Sequence, residues 1–63
     1  MRRNERTRRM INWMRSTGPT TVPAVAEHFG VSERTIFRDL ATLRERGIRI
    51  LSDPGRGGGI WLR

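Results

Sequence analysis

A chain of 63 residues with a formal net charge of +7 and no cysteine makes at most one small domain. A domain of this size buries about 60% of the surface its unfolded form exposes, which leaves no room for a deep catalytic cleft beside a core. Disulfides and thiolate metal sites are excluded, so packing alone must hold the fold. No apolar run has the length of a membrane span or a signal-peptide core, and the chain reads as a soluble, cytoplasmic protein.

All 13 basic residues are arginine, against six acidic residues. Six of those arginines, Arg2, Arg3, Arg6, Arg8, Arg9 and Arg15, fall in the first 17 residues, where Glu5 is the only acid. A small domain with this balance has the electrostatic footprint of a polyanion binder. A generally sticky basic protein has the same footprint.

Residues 4–16 are predicted to form helix 1, because Thr7, Met10, Ile11 and Met14 recur at helical spacing on one face. Glu5 precedes Arg9 by one turn in the favourable orientation for an ion pair. Thr17-Gly18-Pro19 ends the helix. Thr20 reads as extended, and Thr21 as the N-cap of a short helix 2 over 22–28, with Pro23 tolerated in the first turn. Val22, Val25, Ala26 and Phe29 supply its buried face, and Gly30 is the natural left-handed residue at its end.

Ser32 is predicted to cap helix 3, which runs over about 33–46 and stops at Gly47. Thr35 stands where a full capping box would have Glu. Ile36, Leu40 and Leu43 form the core stripe; Arg34, Arg38, Ala41 and Glu45 lie opposite, with Thr35 and Phe37 at the two edges. Phe37 reads first as a flank of the core, and otherwise as a contact for a thymine methyl or a sugar. Asp39 cannot favour a phosphate and reads as a holder of a nearby arginine, from helix 1 or the hairpin. After Gly47 the period changes to two. Ile48 and Ile50 alternate with Arg49, and Ile60 and Leu62 with Trp61 and Arg63, across a glycine-rich loop from Ser52 to Gly59. Trp61 is expected to face outward, against helix 1 or toward a partner.

The expected fold is mainly α with a small β-hairpin, a winged helix-turn-helix occupying residues 1–63 as one domain. A small residue at Ala26, a glycine at Gly30 and Ile36 beyond the turn let two helices cross closely. Any tight helical hairpin can use that spacing; Ser32, Arg34, Thr35 and Arg38 make it more specific. They stand at the start of helix 3, the part such modules present to the major groove of duplex DNA. Arginine offers a fork to guanine O6 and N7, and a helix N-terminus favours phosphate. A solvated face is the plain alternative for Arg34 and Arg38. Arg56 in the loop suits the adjacent minor groove, or is simply part of a hairpin tip. Thr21, Arg8 and Arg9 are candidates for backbone phosphates. The loop lacks a following Lys-Ser or Lys-Thr and leads into a strand, so it is not a nucleotide-binding loop. His28 stands alone, which argues against a metal or a catalytic site, and no nucleophile–base set can be assembled. No enzyme activity, cofactor, small-molecule ligand or membrane partner is expected.

The run Val31-Ser32-Glu33-Arg34-Thr35-Ile36-Phe37-Arg38-Asp39-Leu40, with Leu43, Gly47-Ile48 and Pro54-Gly55-Arg56-Gly57-Gly58-Gly59, resembles the N-terminal domain of DeoR-type bacterial transcription regulators. It is most similar to the branch carrying a C-terminal WYL domain. The resemblance spans nearly the whole chain and implies sequence-specific binding of operator DNA in transcription regulation, usually as a homodimer on a palindromic site. It implies that Ser32, Arg34, Thr35 and Arg38 are recognition-helix contacts and Arg56 a wing contact. Position 37 is Phe where that family often has Tyr. The effector domain of that branch does not follow Arg63, so this chain reads as an excised domain or a stand-alone small regulator. Two other readings stand beside this one: a winged-helix protein-interaction module and a non-specific nucleic-acid binder.

Overall fold

The computed structural model describes residues 3–53 and 58–63. In chain order the elements are α1 (Arg3–Thr17), β1 (Thr20–Thr21), α2 (Val22–Phe29), α3 (Glu33–Glu45), β2 (Ile50–Ser52) and β3 (Gly59–Leu62). The three helices and the β2–β3 hairpin are the winged helix-turn-helix expected from the periodicity. Helices α1 and α2 each run slightly further than their apolar spacing predicts, and α3 stops one residue short.

Local chemistry accounts for the helix ends. Thr21 is extended, and its hydroxyl oxygen accepts from the Ala24 amide at 3.2 Å. Ser32 does the same for the Thr35 amide at 3.1 Å. Each cap satisfies an amide that has no partner within the first turn. Both α2 and α3 end in one arrangement. The amide of Gly30 donates to the Glu27 carbonyl and that of Val31 to Ala26; the amide of Gly47 donates to Arg44 and that of Ile48 to Leu43. This paired closure needs a left-handed residue, and Gly30 and Gly47 have φ of 67° and 88°. Val31 and Ile48, the residues that follow, pack against the core.

The hairpin is one part of a three-stranded antiparallel sheet in the order β1–β3–β2. Thr20 pairs with Ile60 and Thr21 with Gly59 on one side of β3. On its other side Ile50 pairs with Leu62, Leu51 with Trp61 and Ser52 with Ile60. The extended reading of Thr20 is therefore correct, and it extends to Thr21. The first hairpin strand begins at Ile50, so Ile48 belongs to the preceding turn. Trp61, which alternates with Ile60 and Leu62 along β3, is half-buried.

The core lies where the three helices meet the sheet. It is built from Met10 and Met14 of α1, Val22, Val25 and Ala26 of α2, Ile36, Leu40 and Leu43 of α3, and Ile50 and Ile60. Thr7 is buried with them, its hydroxyl donating to the Asn4 carbonyl at 3.0 Å. Ile11, Trp13, Phe29 and Leu62 close the margins. At the margin Trp13 stacks on His28, with ring centroids 4.5 Å apart, and Phe29 meets both rings edge-on.

Candidate nucleic-acid interface

Helix α3 is seated on the core by Ile36, Leu40 and Leu43, which leaves its opposite face to solvent. At 3.6 residues per turn that face carries Arg34, Arg38, Ala41 and Glu45, and all four are exposed. The turn of Gly30, Val31 and Ser32 brings the start of α3 close against the end of α2.

The four arginines near α3 divide into two pairs. Arg44 donates from Nη2 to the Ile50 carbonyl at 3.4 Å, which ties α3 to β2. Arg46 donates from Nη2 to Asn4 Oδ1 at 3.2 Å, which ties the end of α3 to α1. Arg34 and Arg38 do neither. Their guanidinium groups have no partner among the described residues and project from the exposed face. Two of the arginines tie α3 to its neighbours, and two stand in solvent.

Asp39, next to Arg38, is fully buried. Arg6 of α1 reaches it with two hydrogen bonds, Nε to Oδ2 at 2.5 Å and Nη2 to Oδ1 at 3.0 Å. The hydrogen bond to Asp39 is the main reason the Arg6 guanidinium is held in its charged form above the ordinary arginine range, with burial working against it. The holder role read for Asp39 is correct, and the arginine comes from helix 1. This pair fixes the rotation of α3 about its own axis against α1, and thereby the direction in which Arg34 and Arg38 point.

The other predicted contacts are distributed around this face. Ser32 and Thr35 form a hydroxyl pair, Oγ to Oγ1 at 3.0 Å, at the exposed start of α3; Ser32 is exposed and Thr35 half-buried. Thr21 is half-buried at the start of α2, and because its oxygen accepts from Ala24 its hydroxyl proton is left to donate. Arg9 is exposed and pairs with Glu5 at 3.0 Å. Arg8 is exposed and lines an open groove of about 340 Å³ with Asn4, Thr7, Ile11, Leu43, Arg46 and Ile48. It thus stands near the C-terminal end of α3, away from Ser32 and Arg34. Arg56 lies outside the described residues.

The expectation for Phe37 as a core flank does not hold: it is 59% exposed. The wheel position alone could not reveal this, because no neighbouring element reaches over that edge of α3. Among the described residues no group of three or more His, Asp or Glu side chains comes together to hold a metal ion. Among the described residues no helix is long and apolar enough to cross a membrane.

A family model described as an HTH domain matches residues 6–60, which takes in most of α1, all of α2 and α3 and most of the sheet. The chain belongs to the HTH domain family. It is 41% identical over 58 residues to an uncharacterized HTH-type transcriptional regulator, YobV, of Bacillus subtilis (strain 168); the match covers 92% of this chain and 18% of that protein. The HTH domain thus spans less than a fifth of the relative it matches. Among solved structures it is similar to the Zalpha domain of PKZ from Carassius auratus, crystallised in complex with Z-DNA. The TM-score is 0.80 at 20% identity, covering 97% of each chain. That likeness establishes the winged-helix fold.

Proposed function

We propose that residues 1–63 form a non-enzymatic domain that binds double-stranded DNA sequence-specifically in transcription regulation. The observation that carries the reading is the division among the α3 arginines. Arg44 and Arg46 are spent on the fold, whereas Arg34 and Arg38 face solvent beside a hydroxyl-lined helix start. That combination fits a major groove, where arginine forks guanine and a helix N-terminus meets phosphate. Ser32, Arg34, Thr35 and Arg38 serve as the recognition-helix contacts. Thr21, Arg8 and Arg9 hold backbone phosphates, and Arg56 of the glycine-rich wing enters the adjacent minor groove or lies on the backbone.

Within the HTH family, the run from Val31 to Leu40 and the glycine-rich wing support assignment to the DeoR-type regulators, in the WYL-bearing branch. In that setting the domain works in a bacterial cytoplasm, and two copies occupy a palindromic site with half-sites about 10–10.5 bp apart or a multiple of that.

Selection of a site from a random duplex pool at near-physiological salt tests the reading. Arg38→Ala is expected to relax sequence preference at one or two positions, and Arg8→Ala to weaken all duplexes alike. If Arg34→Ala and Arg38→Ala bind the selected site and a random duplex with the wild-type ratio, the recognition-helix assignment is wrong. A protein-interaction module would bind no duplex at all.

A further inference from the structure

Phe37 is the exposed large apolar side chain of the described residues, and none of the contacts above uses it. It stands three residues after Arg34 and immediately before Arg38, so its position borders the exposed face that carries both arginines. Seven residues further on and on the same side of α3, Arg44 reaches toward β2. Phe37 therefore occupies the edge of the exposed face that looks toward the hairpin.

A partner that satisfies this edge must be anionic and hydrogen-bond accepting at two points and apolar at a third. The major groove of duplex DNA offers that combination. Guanine presents O6 and N7 acceptors, phosphates line the rim, and the apolar group on the base edges is the C5-methyl of thymine. A phenylalanine ring has no donor or acceptor, so it can read a base there only through that methyl. Burying one methyl against the ring favours thymine without any hydrogen bond. We infer that Phe37 is a specificity-determining residue that selects thymine, at a position on the wing side of the bases contacted by Arg34 and Arg38. The inference rests on the proposed DNA-binding function and adds a base to it.

The test uses the intact chain and its selected duplex. Each thymine is replaced in turn by deoxyuridine, which removes the methyl and keeps the pairing. One replacement in each half-site is expected to weaken wild-type binding about three- to fivefold, the worth of a buried methyl. Phe37→Ala is expected to weaken binding to the thymine duplex by a similar factor and to be indifferent to uridine at that position; Phe37→Leu keeps part of the preference. A cytosine·guanine pair at that position restores part of the wild-type affinity when the cytosine carries a 5-methyl group. Wild-type binding that tolerates uridine everywhere, or a Phe37→Ala variant with undiminished sensitivity to it, overturns the role of Phe37 and leaves DNA binding standing. A wild-type chain that selects no sequence overturns both.

Discussion

Arg38 and Asp39 are consecutive on α3, yet the first is exposed to solvent and the second is buried in the grip of Arg6. An exposed guanidinium is thus carried next to a residue locked to another helix. The lock has an asymmetric energy. Removing one partner leaves a charge in a place that water reaches poorly, whereas removing both leaves a gap that apolar atoms can fill.

Asp39→Ala is accordingly expected to destabilise the domain by about 2–3 kcal/mol, less than a fully dry pair because the Arg6 side chain keeps some solvent contact. For a chain this short that lowers the melting midpoint by roughly 10–20 °C. The double replacement Arg6→Met with Asp39→Leu should recover most of the loss. Thermal melts followed by circular dichroism make the comparison, and a double variant no more stable than Asp39→Ala would show that the pair acts through something other than its charges.

Gly30 joins the two helices of the reading unit with a left-handed backbone, and a Cβ there would meet nothing within 4 Å. The cost of substitution is therefore conformational alone. Gly30→Ala is expected to lose about 1 kcal/mol, and Gly30→Asn less, since Asn adopts this conformation more readily. Denaturant titrations would measure both. An alanine variant as stable as the wild type would mean that the turn relaxes to another closure.

Salt dependence separates phosphate contact from other association. If about five phosphates are neutralised, a plot of log Kobs against log salt concentration should have a slope of about −4 to −5. Arg8→Ala should flatten it by about one. Fluorescence anisotropy across a salt series supplies the slope, and a value near zero would be incompatible with binding along the DNA backbone.

The stack of Trp13 on His28 closes one margin of the core. His28→Ala is expected to expose one face of the indole, shift Trp13 emission to the red and cost about 0.5–1 kcal/mol. A Trp61→Phe background keeps the signal from Trp13 alone. Unchanged emission would show that Phe29 suffices to shield the ring.

Helix positions, both caps and the two glycine closures were legible in the sequence because each is decided within four or five residues. The core stripe of α3 was legible for the same reason. What could not be read depends on contacts made at a distance. Thr20 and Thr21 are a strand only because β3, about forty residues later, arrives alongside them. Asp39 could be recognised as a holder of arginine, yet its choice of Arg6 is settled 33 residues away. Phe37 proved exposed where a core flank was expected, since a helical wheel states which way a side chain points and not what stands there. At the candidate interface the residue types were visible, whereas the commitment of Arg44 and Arg46 to the fold required the positions of β2 and α1.

The central place of β3 has a mechanical result. One edge of that strand carries the pairing to Thr21, the residue that starts α2, and the other carries β2, which Arg44 fastens to α3. The strands of the wing and the helix pair are braced as a single frame, so the spacing between the helix surface and the base of the wing is set before any partner arrives. A ligand that matches that spacing finds little left to order, and one that does not must bend to fit or be refused.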